Sequence, residues 1–252
     1  MRCDYPTAAQ IPGLRRLWQE AFGDTDLFLD AFFRVAFSAD RCRCIAQDRE
    51  VLAALYWFEV SCGDQRYAYL YAVATAKAHR GRGLFTALLE DTKKVLQEAG
   101  FHGILLVPES PALARMYEKF GFSASTYVRE FSAKAVDLAV DLREIGPGEF
   151  ARLRRGYLPA DGVLQEGADL DLLATQCNFW AGKGWIAVGQ IYDGKLACQE
   201  FLGDEGAILG LLRALDVPCG HFRTAGAERP FGYLLPLRAD CKGPSYFALA
   251  LD

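Results

Sequence analysis

Histidine is scarce in this chain, with three residues among 252. The eight cysteines, Cys3, Cys42, Cys44, Cys62, Cys177, Cys198, Cys219 and Cys241, contain no CxxC pair. Zinc spacing is therefore absent and no metal is expected. Cysteines inside apolar runs serve as small hydrophobes, so reduced thiols are expected. A basic excess is missing too. With 28 basic and 32 acidic side chains the formal charge is −4. That is a poor footprint for nucleic acid, which asks for a basic surface. No apolar run reaches the ~18 residues of a membrane helix. The opening "MRCDYPTAAQ" has no apolar core of a signal peptide. The expectation is a soluble, cytoplasmic protein, monomer or homodimer, with neither nucleic-acid nor membrane partner.

What is present is a foldable chain in two halves. Hydrophobic residues make up 52% and charged residues 24%, a balance that builds a packed core. "AAQIPGLRRLWQEAFG" carries a helical stripe at Ile11, Leu14, Leu17, Trp18 and Phe22, closed by Gly23. A second helix is expected in "TDLFLDAFFRVAFS". "RCRCIAQDREVLAALYWFEV" reads as strand, turn, strand, and "RYAYLYAVAT" as a central strand apolar on both faces. In the helix "LFTALLEDTKKVLQEAG", Phe85, Leu88, Leu89 and Val95 should line the core side, with Glu90 and Lys94 paired in solvent. A buried strand, "HGILLVPE", comes next. "SPALARMYEKFG" then starts on Ser110 as N-cap and Pro111, and stops at Gly121. After the connector "SAKAVDLAVD", the segment "IAVGQIYDGKLACQEF" echoes "CIAQDREVLAALYWF", with an Asp-Gly hairpin turn. Helix-like "GAILGLLRALD" and strand-like "CGHFRTAG", "FGYLLPL" and "YFALALD" complete the chain. The domain boundaries expected are 1–134 and 135–252.

One stretch concentrates positive charge in this acidic chain. "AVATAKAHRGRGLF" places Lys77, His79, Arg80 and Arg82 at a strand-to-helix turn, with Gly81 and Gly83 among them. The first N–H groups of a helix have no intrahelical partner and carry the positive end of its dipole. Glycines allow close approach of the backbone, and arginine grips phosphate bidentately. Gly-rich turns with arginines also serve as plain connectors. The central strand, basic cluster and amphipathic helix together point to an anion. A triphosphate loop would need Gly-Lys-Ser/Thr, which is absent, and a dinucleotide fingerprint would need glycine where Thr86 stands.

The turn resembles the acyl-CoA pyrophosphate motif of the GNAT N-acetyltransferases, Arg/Gln-x-x-Gly-x-Gly/Ala. It matches at Arg80 and Gly83 and departs at Phe85, where the family has a small residue. "SPALARMYEKFGF" is similar to the family's second signature, Tyr-Glu-Lys-x-Gly-Phe, here Tyr117 to Phe122, with Ser110 in place of the common Asn. The two motifs stand in the right order, and the resemblance covers roughly residues 1–130.

That resemblance implies an α/β fold. A mixed, mostly antiparallel central sheet is flanked by helices, and a smaller, degenerate GNAT-like half follows it. It implies an acyltransferase moving an acetyl group from acetyl-CoA to a primary amine, on a small molecule or a peptide, by direct attack. The central strand would splay from the next strand, and the pantetheine arm would insert there against Ala72 and Val73; Arg80, Gly81, Arg82, Gly83, Leu84 and Phe85 would hold the pyrophosphate, with Ser110 beside the cofactor. Tyr117 would protonate the departing thiolate. By pattern alone, Leu113, Met116, Tyr117 and Phe120 share a helical face, which is a core arrangement. Glu59 is the one carboxylate in "VLAALYWFEV", where burial would raise its pKa and suit it to act as base. Asp252 and a water chain are the other sources of a base. Tyr67, Tyr69 and Tyr71 alternate on one strand face, as core or as an acceptor pocket. His79 is expected to support the turn, and His102 and His221 to be structural. An acyl-CoA-binding module without transfer, and aminoacyl transfer from tRNA, are the alternative functions.

Overall fold

A computed structural model describes residues 2–251 and separates the chain into two compact units. The first comprises residues 1–59, 65–106 and 236–241; the second comprises 60–64, 107–235 and 242–252. The expected cut at 134/135 follows sequence, whereas compactness assigns residues 107–134 to the second unit.

In the first unit the elements are β1 (Cys3–Asp4), α1 (Ile11–Phe22), α2 (Asp26–Val35), β2 (Cys42–Gln47), β3 (Glu50–Cys62), β4 (Gln65–Thr75), α3 (Leu84–Glu98) and β5 (Gly103–Leu106). Local chemistry marks the end of α1 and the start of α2. Gly23 takes a left-handed φ of 77° to close α1, and the Thr25 hydroxyl accepts the Phe28 N–H to open α2. The strands lie side by side in chain order, antiparallel until β5, which runs parallel to β4 after the crossover through α3. Buried Leu14, Leu17 and Trp18 of α1, and Leu29 and Phe32 of α2, supply core side chains. Trp18 and Phe32 touch Tyr56 and Tyr71, joining α1 and α2 to the sheet through aromatic rings. The stripe of α3 differs in detail from the sequence reading. Leu84, Leu88, Leu89, Thr92 and Leu96 are buried, while Phe85 and Val95 sit at the edge. Glu90 pairs with Lys93 at 2.9 Å rather than with Lys94, because the i,i+3 side chain is in reach.

The second unit holds α4 (Pro111–Glu118), β6 (Ser123–Ala124), β7 (Tyr127–Lys134), β8 (Arg143–Ile145), α5 (Pro147–Tyr157), α6 (Ala168–Leu173), β9 (Asn178–Gly182), β10 (Trp185–Tyr192), β11 (Lys195–Gly203), α7 (Ile208–Ala214), β12 (Cys219–Ala225), β13 (Arg229–Pro230) and β14 (Tyr233–Pro236). Its sheet is ordered β13-β7-β12-β11-β10-β9-β8, antiparallel except between β11 and β12. The run β8-α5-α6-β9-β10-β11-α7-β12 repeats the order of β1 to β5 in the first unit. The echo seen in the sequence is thus displaced by one strand: the Asp193-Gly194 hairpin joins β10 to β11 and corresponds to the β3–β4 hairpin, not to β2–β3. Hairpins of similar length and apolar content cannot be told apart by pattern alone. The connector is shorter than expected, since Ser132–Lys134 belong to β7. "YFALALD" is not a strand in the described residues. Its Tyr246 makes one bridge to Gly162, and Phe247, Ala248, Leu249 and Ala250 are fully buried as irregular chain.

Candidate functional site

The basic turn leaves the C-terminal end of β4, and β4 itself is irregular there. Ala72 has a φ of +48°, a left-handed conformation that costs a Cβ-bearing residue about 1–2 kcal/mol. Such strain persists where surrounding structure holds it, and it clusters at functional sites. The registered pairing of β4 with β5 runs from Tyr67–Gly103 to Tyr69–Leu105, whereas β4 continues to Thr75. Tyr71, Ala72 and Val73 are half-buried, in a strand otherwise buried nearly throughout. The registered pairing of the two parallel strands thus ends before Ala72 and Val73. Beside the kink is a shallow apolar surface depression, with Trp18, Phe22, Tyr56 and Ala72 among its lining.

After β4 a single 3-10 turn, Lys77–His79, leads into Arg80, which is extended at φ −64°, ψ 156°. Gly81 and Gly83 follow with φ of 74° and 75°, and Gly83 is the N-cap of α3. A Cβ on either glycine would meet no protein atom within 4 Å. Glycine is required for backbone conformation, and the space in front of the loop is open. No side chain caps α3, and its ladder starts with Ala87 N–H donating to the Gly83 carbonyl at 3.0 Å. The N–H groups of Leu84, Phe85 and Thr86 precede that first rung. Arg80 is steadied by donating from Nε to the Thr75 carbonyl at 3.1 Å, and the Lys77 N–H donates to Glu20 Oε1 at 3.3 Å. Arg80, Gly81, Arg82 and Gly83 are all exposed. His79 is half-buried, its Nδ1 enclosed without a hydrogen-bond partner. A loop of this form can receive an anionic diphosphate through main-chain donors, with guanidinium groups at its rim.

Glu59 is placed differently from expectation. It stands near the far end of β3, half-exposed, and Arg66 grips both its oxygens at 2.8 and 3.0 Å. The Arg66 hydrogen bonds hold its pKa below the ordinary carboxylate value. The expected rise by burial is therefore reversed, because a strand end leaves the carboxylate wet and an arginine reaches it. Arg66 is seven residues before Val73 on β4, roughly 23 Å of extended chain.

Ser110 and Tyr117 lie on α4 in the second unit. The Ser110 Oγ accepts the Leu113 N–H at 3.3 Å and so serves as the helix cap. Tyr117 is buried, edge-on to Phe122 at 5.5 Å, and burial pushes its pKa up to about 12. Buried residues of α4 are Ala114 and Tyr117, while Leu113 is exposed, so the face deduced from the sequence is rotated. Tyr67 and Tyr69 are core residues, and the Tyr67 hydroxyl donates to Gln65 Oε1 at 2.8 Å. His102 Nδ1 accepts the Arg66 N–H, and the His221 ring contacts the Ser132 hydroxyl. Asp252 lies outside the described residues. Sequence reasoning missed the kink at Ala72, since "YAVAT" carries no glycine to announce a positive φ. Among the described residues no helix is long and apolar enough to cross a membrane, and no three metal-ligating side chains gather.

Residues 2–125 match the family model of an acetyltransferase (GNAT) domain. No curated protein sequence matches the chain. Among solved structures, a GCN5-related N-acetyltransferase from Kribbella flavida is similar at 19% identity and TM-score 0.73, over 95% of this chain and 73% of that one. A probable N-acyltransferase from Enterococcus faecalis V583, of unknown function, is similar at 15% identity and TM-score 0.74, over 94% and 72%. Eis1 from Mycobacterium abscessus is similar at 11% identity and TM-score 0.69, over 94% and 74%. At such identities the likeness is one of fold.

Proposed function

The chain belongs, through residues 2–125, to the GNAT acetyltransferases, and on that footing we propose that it moves an acetyl group from acetyl-CoA to a primary amine. The observation that carries this reading is the end of β4: a strand kinked at Ala72 that runs into a glycine turn, which opens onto the N-terminus of α3, where no side chain caps the helix. The diphosphate of coenzyme A is held by main-chain N–H groups from Gly81 to Phe85, with Arg80 and Arg82 adding charge. Phe85 is compatible with this role, since the contribution at that position is an N–H and not a side chain. The thioester supplies an activated acyl group. The Val73 N–H, beyond the registered pairing of β4 with β5, polarises its carbonyl. The amine attacks that carbon directly, so juxtaposition supplies much of the acceleration and no enzyme nucleophile is needed. The family resemblance gives Tyr117 the task of protonating the departing thiolate. A hydroxyl whose pKa stands at about 12 keeps its proton at neutral pH and serves as a donor. The arginine grip on Glu59 favours water as the acceptor of the amine proton.

Two observations bear on the second half as a degenerate copy. Its element order repeats that of the first unit, and its counterpart of the phosphate turn reads Gly203-Asp204-Glu205-Gly206, with Asp204 capping through the Gly206 N–H. Acidic residues stand at that place instead of arginines: Asp204 takes up the Gly206 N–H itself, and Glu205 is paired with Arg129. We assign this half to shaping the acceptor side or to self-association.

The test is calorimetric titration with acetyl-CoA, on the wild type and on Gly83→Asp. Micromolar binding, about −8 kcal/mol, that disappears in the variant supports the assignment. No binding to the wild type overturns it. The Glu59–Arg66 pairing also favours a second reading, a holder of acyl-CoA without transfer. Steady release of free CoA in the presence of any amine of a screening panel eliminates that reading.

A further inference from the structure

The second unit encloses a polar cluster that acyl transfer does not use. Arg154 of α5 is 1% exposed and Glu200 of β11 is fully buried. They are joined by two hydrogen bonds, Nε to Oε2 at 2.6 Å and Nη2 to Oε1 at 2.9 Å. Arg154 Nη1 donates to the Val163 carbonyl at 2.8 Å, and the Tyr246 hydroxyl donates to Glu200 Oε1 at 2.9 Å. The charge of this pair is balanced and its donors are engaged. Asp169, at the start of α6, is the second buried carboxylate of the cluster and has no such clamp. Its Oδ1 accepts the Leu170 N–H, while its Oδ2 is buried with no partner. The neighbouring Gln165, 1% exposed, has the complementary defect. Its Nε2 donates to the Leu249 carbonyl at 2.8 Å, and its Oε1 is buried with no partner.

Two unfilled acceptors in one buried cluster are costly unless a proton or a donor is supplied. A proton on Asp169 turns its carboxyl into a donor and Gln165 Oε1 into its receiver. The side chain so engaged is the one that holds the segment 245–250. That segment forms no strand in the described residues. It is kept in place by Gln165 at Leu249, by Arg223 Nη1 at the Ala248 carbonyl, by Tyr246 at Glu200, and by the main-chain bonds Val163 N–H to Tyr246 and Ser245 N–H to Asp161.

We propose that Asp169 is a proton-controlled latch: protonated, it leaves Gln165 free to hold residues 245–250 in the second unit; ionised, it competes for the Gln165 amide and loosens that segment. The charged and titratable groups around it are Arg154 from α5, Glu200 from β11 and Tyr246 from the segment itself. Arg154 already gives its fork to Glu200, so it only partly offsets an Asp169 charge. Glu166, the next residue after Gln165, is paired with Arg155. Burial moves the Asp169 pKa from the ordinary 3.8 up to about 7. A carboxyl that binds its proton more tightly when enclosed favours the closed form at low pH. That preference is fully present below 3.8 and is lost as pH rises through about 7, so opening becomes easier across this window and then levels off. The inference is independent of acyl transfer.

The experiment is amide hydrogen exchange at Val163, Ser245 and Ala250 from pH 5 to 8.5, in the wild type and in Asp169→Asn, each rate taken relative to that of an unstructured peptide. The asparagine keeps the shape, stays neutral and offers a donor to Gln165. The wild-type opening should grow by up to about tenfold per pH unit to pH 7 and then flatten, while the variant stays flat. Parallel behaviour of the two proteins overturns the proposal. Should Asp169→Asn fail to fold, the wild type decides: exchange at Ser245 and Ala250 that follows the titration of the Asp169 carboxyl carbon resonance supports the latch, and exchange that does not follow it sinks it.

Discussion

At the scale of single residues, the site joins conformational constraints to charges of opposite purpose. Gly81 and Gly83 adopt positive φ with open space before them, so their substitution by residues with a Cβ strains the turn and, on the proposed function, intrudes on the diphosphate. Ala72 bears the same strain without glycine's freedom. Ala72→Val, which adds a β-branch to a left-handed position, should cost about 1–2 kcal/mol in urea denaturation and raise the KM for acetyl-CoA. Tyr117→Phe removes one proton donor. It should lower kcat on the order of 100-fold while leaving acetyl-CoA affinity unchanged. Because the wild-type hydroxyl loses its proton only as pH rises through about 12, the pH–rate profile should show no falling limb from this group below pH ~10. Glu59→Gln breaks an exposed arginine pair worth less than about 1 kcal/mol. An unchanged kcat would leave proton removal to water; a loss beyond tenfold would return the role of base to Glu59.

At the scale of elements, α4 shows how a local signal can be right about structure and silent about its use. Ser110, Pro111 and Gly121 delimit the helix as their chemistry requires. In the folded chain the Ser110 hydroxyl is spent on the Leu113 N–H. Ser110→Ala should therefore lower Tm by about 2–4 °C, the equivalent of one lost cap near 1 kcal/mol, with acetyl-CoA affinity unaltered. A drop in affinity instead would place the hydroxyl on the ligand. The turn after β4 was legible because glycine spacing, basic residues and the first helical turn are contiguous in the chain. The splay of the central strand from the next came only with the resemblance, and the kink at Ala72 was not legible at all. The pairing of Tyr69 with Leu105 spans a whole crossover helix, and no glycine marks the kink.

At the scale of the molecule, the run from β8 to β12 repeats the element order of β1 to β5, and it carries Asp204 and Glu205 where the first run has a basic turn. It also spends buried area on the Arg154–Glu200 pair. Removing one partner, as in Glu200→Gln, leaves an uncompensated charge and should cost about 3–5 kcal/mol in urea unfolding. The double replacement Arg154→Met with Glu200→Leu should be less destabilised than either single change. If it is instead the worst of the three, the pair itself is a net source of stability. By itself the sequence determined the helices with their caps, the hairpins, the glycine-arginine turn and the resemblance that turn carries, because each is settled within a few bonds of chain. Only the tertiary structure decided that Glu59 is held by Arg66, that β4 kinks at Ala72, and that Arg154, Glu200, Asp169 and Tyr246 share one buried site. Those facts join residues far apart in the chain, and burial and proton affinity belong to the company a side chain keeps after folding.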